Sequence, residues 1–270
     1  MKPKLGCVPF LNAKPLVAWF ADGDEIDADV IFADPALLGP MVDRGEVDAA
    51  IASSFFAIAD PSLKVAAGVS ISSRGPVESV KLLSKGPFNE IETLALDQAS
   101  MTSNHLGLII LAEEFGVRPT TERRSAHLGE MLAEFDAAIL IGDAGMSAEG
   151  AGLHRLDLGA AWHSLTGMPF VWAVWVGRDG LTADLAAKLR AAKEFGMRNL
   201  ETIADEAAHD LRWPYDLCLR YLTQSIDFDL GEEHLAGLEL FGKKCVEMGF
   251  VSKFQMPEVV GEASASARRS

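Results

Sequence analysis

Two stretches of this sequence repeat nearly the same pattern, an apolar run that ends in small polar residues. Residues 47–54 read VDAAIASS and residues 135–143 read FDAAILIGD. Each follows a stretch typical of a short helix, so each predicts a buried strand whose end carries groups able to bind a ligand. Open α/β sheets bind small molecules at the carboxyl ends of their strands. The repeat indicates two lobes sharing one cleft, although the pattern is also common in Ala-rich α/β proteins.

Four polar segments fall where predicted strands end or helices begin. They are residues 10–16 (FLNAKPL), 72–80 (SSRGPVESV), 100–104 (SMTSN) and 142–143 (GD). Asn12 lies where a helix N-cap belongs, and Gly75 with Pro76 is typical of a turn. Asp143 is either an exposed turn residue or an acceptor for a ligand. Each segment has a local explanation by itself, but one cleft would explain all four.

The third segment contains the groups best suited to an anion. Ser100, Thr102 and Ser103 precede an apolar helical pattern. Hydroxyls together with the free N–H groups of a helix start suit a carboxylate or a phosphate. The alternative is that Thr102 or Ser103 only caps the helix.

Charge and cysteine content exclude several classes of protein. The chain has 39 acidic and 24 basic residues, a net charge of −15. It therefore lacks the basic residues that neutralise nucleic-acid phosphates or attract an anionic membrane. The three cysteines (Cys7, Cys218 and Cys245) are odd in number and far apart, which favours reduced thiols over disulfides. The six histidines show no ligand spacing, so no metal site is predicted.

Cofactor and targeting motifs are also missing from the sequence. We find no GxGxxG, Walker or GxSxG motif and no catalytic Cys–His pattern. No apolar run approaches the roughly 18 residues of a membrane helix. Pro9, Asn12 and Pro15 interrupt the run that follows Lys2 and Lys4, so we interpret it as a first strand and not a signal peptide. A cytoplasmic protein without an organic cofactor is expected.

The elements that must position these residues predict an α/β protein with a helical C-terminal segment. Strand-like runs recur up to Val176, whereas residues 182–210 predict one long helix and no strand is expected beyond them. The tail from Gly261 is predicted to be disordered. We expect one lobe from residues 1–83 plus 171–270 and an inserted lobe from 84–170, joined by crossing strands at 80–84 and 170–176.

Several motifs between residues 5 and 178 resemble the chorismate dehydratase family of the futalosine route to menaquinone. The matching pieces, in family order, are Phe10-Leu11-Asn12 with Pro15-Leu16, Gly75-Pro76-Val77 with Ser79, Ser100 with Thr102-Ser103, Ile139-Leu140-Ile141-Gly142-Asp143, and Trp162 with Leu165-Thr166-Gly167-Met168-Pro169-Phe170-Val171 and Ala173-Val174-Trp175. The run LTGMPFV beside IGD makes the match specific.

The resemblance implies a two-lobed, type II periplasmic-binding-protein-like fold. It implies a hydro-lyase that converts chorismate to 3-[(1-carboxyvinyl)oxy]benzoate without metal or cofactor. Asn12 and Ser79 match the catalytic positions, with Ser72 and Ser73 as alternatives to Ser79. The general base is either a carboxylate of the substrate or Asp143.

The expected substrate is a dianion, which needs binding partners in the cleft. We expect it to be bound by Ser53, Gly75, Ser100, Met101, Thr102, Ser103, Gly142 and Asp143. Arg74 and Lys14 are candidates for added positive charge. A homodimer is compatible with the sequence.

Three other functions compete with this one. The related 1,4-dihydroxy-6-naphthoate synthase typically starts with an SPCPND-like stretch, where this chain has VPFLN at residues 8–12. A solute-binding protein of the same fold would carry an export signal or lipid anchor. A ligand sensor would need an effector domain, which the helical C-terminus does not offer.

Overall fold

The computed structural model describes residues 2–22, 28–148 and 150–261, so the predicted disordered tail beyond Gly261 lies outside the described residues. The strands are β1 (Lys4–Cys7), β2 (Asp29–Phe32), β3 (Ala49–Ser53), β4 (Lys64–Ser73), β5 (Lys81–Ser84), β6 (Thr93–Asp97), β7 (Thr120–Arg124), β8 (Ala137–Leu140), β9 (His154–Asp157), β10 (Phe170–Gly177) and β11 (Glu258–Val260). The helices are α1 (Lys14–Asp22), α2 (Pro35–Asp43), α3 (Ser54–Ala59), α4 (Thr102–Glu114), α5 (Leu128–Glu134), α6 (Gly142–Ser147), α7 (Leu158–Thr166), α8 (Ala183–Arg198), α9 (Leu200–Leu211), α10 (Tyr215–Arg220) and α11 (Glu232–Glu247).

The strands form two sheets. The first has the order β11-β4-β10-β3-β1-β2 and the second the order β7-β6-β8-β5-β9. In the first sheet β3 and β1 are parallel, and in the second β6 and β8 are parallel. Parallel pairing brings the carboxyl ends of each pair to one edge of the sheet. The residues after β1 and β3 therefore meet, as do those after β6 and β8.

The two repeated segments are the buried strands β3 and β8, as predicted. Every side chain of β8 is buried, and so are all those of β3 except that of Ser53. Each strand is followed by a short helix, α3 after β3 and α6 after β8. One repeat lies in each sheet, which is the arrangement that a shared cleft requires.

A hydrophobic core runs through both lobes. It includes Leu5 and Ile51 from the first sheet and Leu94 and Ile139 from the second. An aromatic cluster fixes the C-terminal helix α11 to this core, because the rings of Trp162, Phe170 and Phe241 meet edge to face at centroid distances of 5.0–6.3 Å.

Two short segments connect the sheets, and the strands expected to cross between the lobes at 80–84 and 170–176 each stay within one sheet. β5 pairs only with strands of the second sheet and β10 only with strands of the first. The connections themselves are residues 74–80, which lie outside helices and strands, and residues 158–169, which contain α7. The lobe boundaries at 83/84 and 170/171 stay a prediction.

The C-terminal segment differs from the sequence prediction in two places. The single long helix expected over 182–210 is two helices, α8 and α9, which break at Asn199. The backbone leaves the helical region there, and the Asn199 side chain donates to the carbonyl of Phe195, as asparagine does at helix ends. A strand that was not expected, β11, pairs with the start of β4. No helix in the described ranges has the length and apolar character needed to cross a membrane.

Candidate active site

A cavity lies at the strand ends of both sheets, and residues at or just after the ends of β1, β3, β6 and β8 line it. Its empty volume is about 630 Å³, a figure that includes space open to solvent. It is lined by Val8, Phe10, Asn12, Pro35, Ile51, Ser53, Ile71, Val77, Ser79, Val80, Ala99, Ser100, Met101, Thr102, Ser103, Ile141, Gly142, Trp172 and Ala173. All of the predicted site residues line this cavity except Gly75 and Asp143. Their catalytic and binding roles remain predictions.

Asn12 is not the helix cap that its position suggested. It lies in a 3-10 turn, Leu11–Ala13, whose N-terminus has no side-chain cap. The Asn12 Nδ2 group donates instead to the hydroxyl of Tyr221 at 3.1 Å. Its Oδ1 atom is buried and has no hydrogen-bond partner among the described residues. Since buried polar atoms are rarely unpaired, this oxygen is an acceptor available to a ligand.

Ser79 follows an unusual turn. The Ser79 N–H donates to the carbonyl of Val77 at 2.7 Å, which closes a three-residue turn around Glu78. Glu78 has φ of 61°, which is rare for a residue with a side chain and is found mainly where surrounding contacts enforce it. Asp157 supplies such contacts, since its carboxylate accepts from the N–H groups of Val77 and Glu78.

Packing also fixes the backbone of Ser79. A Cβ atom at position 145 would overlap the Ser79 carbonyl oxygen, so only glycine lets α6 come this close. The Ser79 side chain is 2% exposed, and its Oγ accepts from the Tyr221 hydroxyl at 2.8 Å. Of the two alternatives, Ser72 bonds to Ser70 and Ser73 accepts from Trp172, and neither lines the cavity.

Tyr221 is the residue that the sequence reasoning missed. It is 3% exposed and begins a five-residue π-helical segment, Tyr221–Ser225, that follows α10. Burial raises the pKa of its hydroxyl, so Tyr221 stays protonated at neutral pH. The only signal in the sequence was that a tyrosine in a buried helix needs a partner for its hydroxyl.

Thr102 connects the two lobes. Its Oγ1 accepts from the backbone N–H of Phe55 at 3.2 Å and hydrogen-bonds with Ser53 at 2.6 Å. Ser54 lies 3.3 Å from the same oxygen and donates to the carbonyl of Val171. Thr102 therefore joins the start of α4 to the start of α3, and it is not the N-cap that was predicted.

The helix start at α4 is held by Ser100 and Asp97. The N–H of Ser103 donates to Ser100 Oγ, so Ser100 takes the role that was expected of Thr102 or Ser103. The Asp97 carboxylate accepts from the N–H groups of Ala99 and Ile141, and its burial raises its pKa. This buried carboxylate orders the loop between β6 and α4 and the end of β8.

The end of β8 reaches across to the first lobe. Gly142 has φ of 57° and faces the ring of Phe10. Asp143 is half-buried outside the cavity; burial raises its pKa, and the nearby backbone N–H of Leu11 opposes that rise. Gly75 belongs to the turn before Ser79 and also lies outside the lining.

Charged side chains do not line this cavity in the described part of the chain. Lys14 pairs with Asp210 at 3.0 Å, and Arg74 pairs with Asp227 and Glu233, and none of these five side chains lines the cavity. Within residues 2–22, 28–148 and 150–261, no three His, Cys, Asp or Glu side chains are grouped to hold a metal ion. An anion here would be bound by hydroxyls, backbone N–H groups and helix N-termini.

Comparison with known proteins identifies relatives over most of the chain. The sequence model described as menaquinone biosynthesis matches residues 3–247. A chorismate dehydratase of Thermus thermophilus is 32% identical over 234 residues, which cover 79% of this chain and 85% of that protein.

Solved structures agree with the fold at low sequence identity. A protein of Archaeoglobus fulgidus superposes with a TM-score of 0.74 at 15% identity and covers 93% of this chain and 98% of its own. The periplasmic aliphatic sulphonate binding protein SsuA of Escherichia coli gives 0.64 at 14%, covering 97% and 94%. The predicted periplasmic-binding-protein-like fold is confirmed. Since the family match covers nearly the whole described chain, this protein belongs to the menaquinone biosynthesis family.

Proposed function

We propose that the protein is a chorismate dehydratase, a hydro-lyase that eliminates water from chorismate to give 3-[(1-carboxyvinyl)oxy]benzoate. Its family and its likeness to the Thermus thermophilus enzyme support this proposal. The observation that carries it is the unpartnered Asn12 Oδ1 in the same cavity as the Ser79 hydroxyl. One hydroxyl group of a ligand can donate to the first and accept from the second.

That hydroxyl is the leaving group. In the reaction a ring C–H bond and the C–O bond on the neighbouring carbon break, a ring double bond forms, and the proton and hydroxide end as water. Ser79 donates its O–H to the departing oxygen, and Asn12 Oδ1 accepts the hydrogen of the same hydroxyl. The Ser79 donor lies where negative charge develops on the leaving oxygen and so stabilises the transition state, while Asn12 holds that oxygen in position.

The base is a carboxylate of the substrate. None of the lining residues has a titratable side chain, and neither amides nor unactivated serines remove protons from carbon at neutral pH. Asp143, the alternative, does not line the cavity. Holding the substrate's own carboxylate near the ring proton uses positioning alone.

The two carboxylates are bound without basic side chains. One lies at the start of α4, where the Ser100 to Ser103 segment lines the cavity, and the other near the 3-10 turn that contains Asn12. Both places offer backbone N–H groups at the beginning of a helix.

The test is to incubate the purified protein with chorismate and follow ultraviolet absorbance and mass for loss of one water. We expect a benzoate-type product from the parent protein, strongly reduced turnover by Ser79→Ala and Asn12→Ala, and retained binding by both variants. Asp143→Asn is expected to keep turnover. Binding without conversion by the parent protein would indicate a solute-binding protein instead. An inactive Asp143→Asn beside active Ser79 and Asn12 variants would assign the base to Asp143.

We also propose that the protein works in the cytoplasm. Cys7, Cys218 and Cys245 are free and buried, which is compatible with a reducing compartment. Detection of the protein in the soluble cytoplasmic fraction of its host would test this.

A further inference from the structure

The hydroxyl of Tyr221 lies between the two residues to which the reaction is assigned. It is 3.1 Å from Asn12 Nδ2 and 2.8 Å from Ser79 Oγ, although Tyr221 itself does not line the cavity. These contacts join elements that are far apart in the sequence, since Asn12 precedes Tyr221 by 209 residues.

The chemistry of the three groups gives this chain of hydrogen bonds one direction. The Asn12 NH₂ group can only donate, so the Tyr221 oxygen accepts from it. The single proton of Tyr221 then goes to Ser79 Oγ. Because Ser79 already accepts from Tyr221, its own proton is left to point toward the cavity.

The segment that contains Tyr221 also holds the turn before Ser79. Ser225 donates to Glu78 Oε1 at 2.8 Å, and Arg220 donates to Glu78 Oε2 at 3.3 Å. The last residue of α10, Arg220, and the π-helical residues Tyr221 and Ser225 thus lie against two consecutive residues, Glu78 and Ser79. Single π-turns of this kind often occur at functional sites.

We propose that Tyr221 is a positioning residue, which orients the Ser79 hydroxyl as a donor toward the leaving group and fixes the Asn12 amide with its oxygen facing the ligand. This inference rests on the proposed function for its chemical meaning, but the hydrogen bonds themselves can be tested without substrate.

The first test measures chorismate turnover by Tyr221→Phe, which keeps the ring and removes the hydroxyl. We expect kcat to fall roughly 10- to 100-fold with a much smaller change in KM, as for other residues that orient a reacting group. Tyr215→Phe is the matched control, because Tyr215 is the other tyrosine of the chain and is partly exposed. It should keep the parent rate.

A double-mutant cycle distinguishes orientation from packing. If Tyr221 acts through Ser79, Tyr221→Phe costs less rate once Ser79 is alanine than it does in the parent, and the loss that remains is the part exerted through Asn12. An equal loss in the parent and Ser79→Ala backgrounds, or no loss in the parent, would overturn the proposal.

The same cycle in urea unfolding needs no substrate. We expect the double variant to shift the unfolding midpoint by less than the sum of the two single shifts, because each single substitution removes the same hydrogen bond between Tyr221 and Ser79. Additive shifts would show that the bond is absent. If the parent protein leaves chorismate unchanged, the proposed function is wrong, and this cycle alone decides the Tyr221 proposal.

Discussion

Two groups of hydrogen-bonded neutral side chains each contribute residues to the lining of one cavity, and they differ in whether their donors and acceptors are all paired. In the first, Asn12, Tyr221 and Ser79, an amide oxygen is unpartnered and a serine proton is left over. In the second, Ser54 donates to the carbonyl of Val171 and Thr102 accepts from the N–H of Phe55, so both hydroxyls hydrogen-bond to the backbone of the first lobe. We infer that the first group performs the chemistry and the second holds the lobes together. Residue type alone does not separate these roles.

Ser79→Ala should have the largest effect. Loss of a donor to a leaving oxygen typically costs about 10²- to 10³-fold in kcat, with little change in KM. Steady-state kinetics with chorismate would measure both constants. Ser72→Ala is the matched control, because Ser72 is also a buried serine but its hydroxyl hydrogen-bonds to Ser70 on β4. A kcat near that of the parent in Ser79→Ala would contradict the assignment of the chemistry to the first group.

Thr102→Val should mainly weaken binding. The substitution leaves the buried N–H of Phe55 without its acceptor, which costs about 1–3 kcal/mol. Since this bond exists only when the lobes are in contact, we expect KM to rise roughly tenfold and kcat to change less than in Ser79→Ala. Thr102→Ser keeps the hydroxyl and should behave like the parent. A kcat loss in Thr102→Val as large as that in Ser79→Ala would assign Thr102 to the chemistry.

The third effect, and the smallest, concerns His105, which stacks on Phe55 with ring centroids 3.7 Å apart and also contacts Phe250. Burial, aided by the charge of Arg123, lowers the His105 pKa below its ordinary value of 6.5. Unfolded His105 therefore binds a proton first as the pH falls, so its contribution to stability is present above pH 6.5 and declines below it.

The free energy of unfolding of the parent and of His105→Gln, compared at neutral pH and below pH 6, would check this. The parent should lose more stability on acidification than the variant does. Taking the difference cancels the contributions of other groups such as Asp97 and Asp143. If the difference in free energy of unfolding between the parent and His105→Gln is the same at both pH values, His105 has the same pKa in the folded and unfolded states.

The sequence predicted the strand ends and eight of the nineteen lining residues, among them all the serines and the threonine, because these depend on local pattern. Ser53 and Gly142 close two apolar runs, and parallel pairing within each sheet brings such ends to one edge. The cap assignments failed for Asn12 and Thr102 because their partners, Tyr221 and Phe55, come from distant parts of the chain. Tyr221 could not be predicted at all, since its place depends on a π-helical turn and on the packing of the C-terminal helices.

The most direct measurement is a crystal structure of the Ser79→Ala variant with chorismate bound. We predict that the oxygen of the ring hydroxyl lies within hydrogen-bond distance of Asn12 Oδ1 and next to the side chain at position 79. One carboxylate should lie at the start of α4. A ring hydroxyl bound instead among Ser53, Ser54 and Thr102, with Asn12 Oδ1 still unpartnered, would contradict the assignment of the chemistry to Asn12 and Ser79.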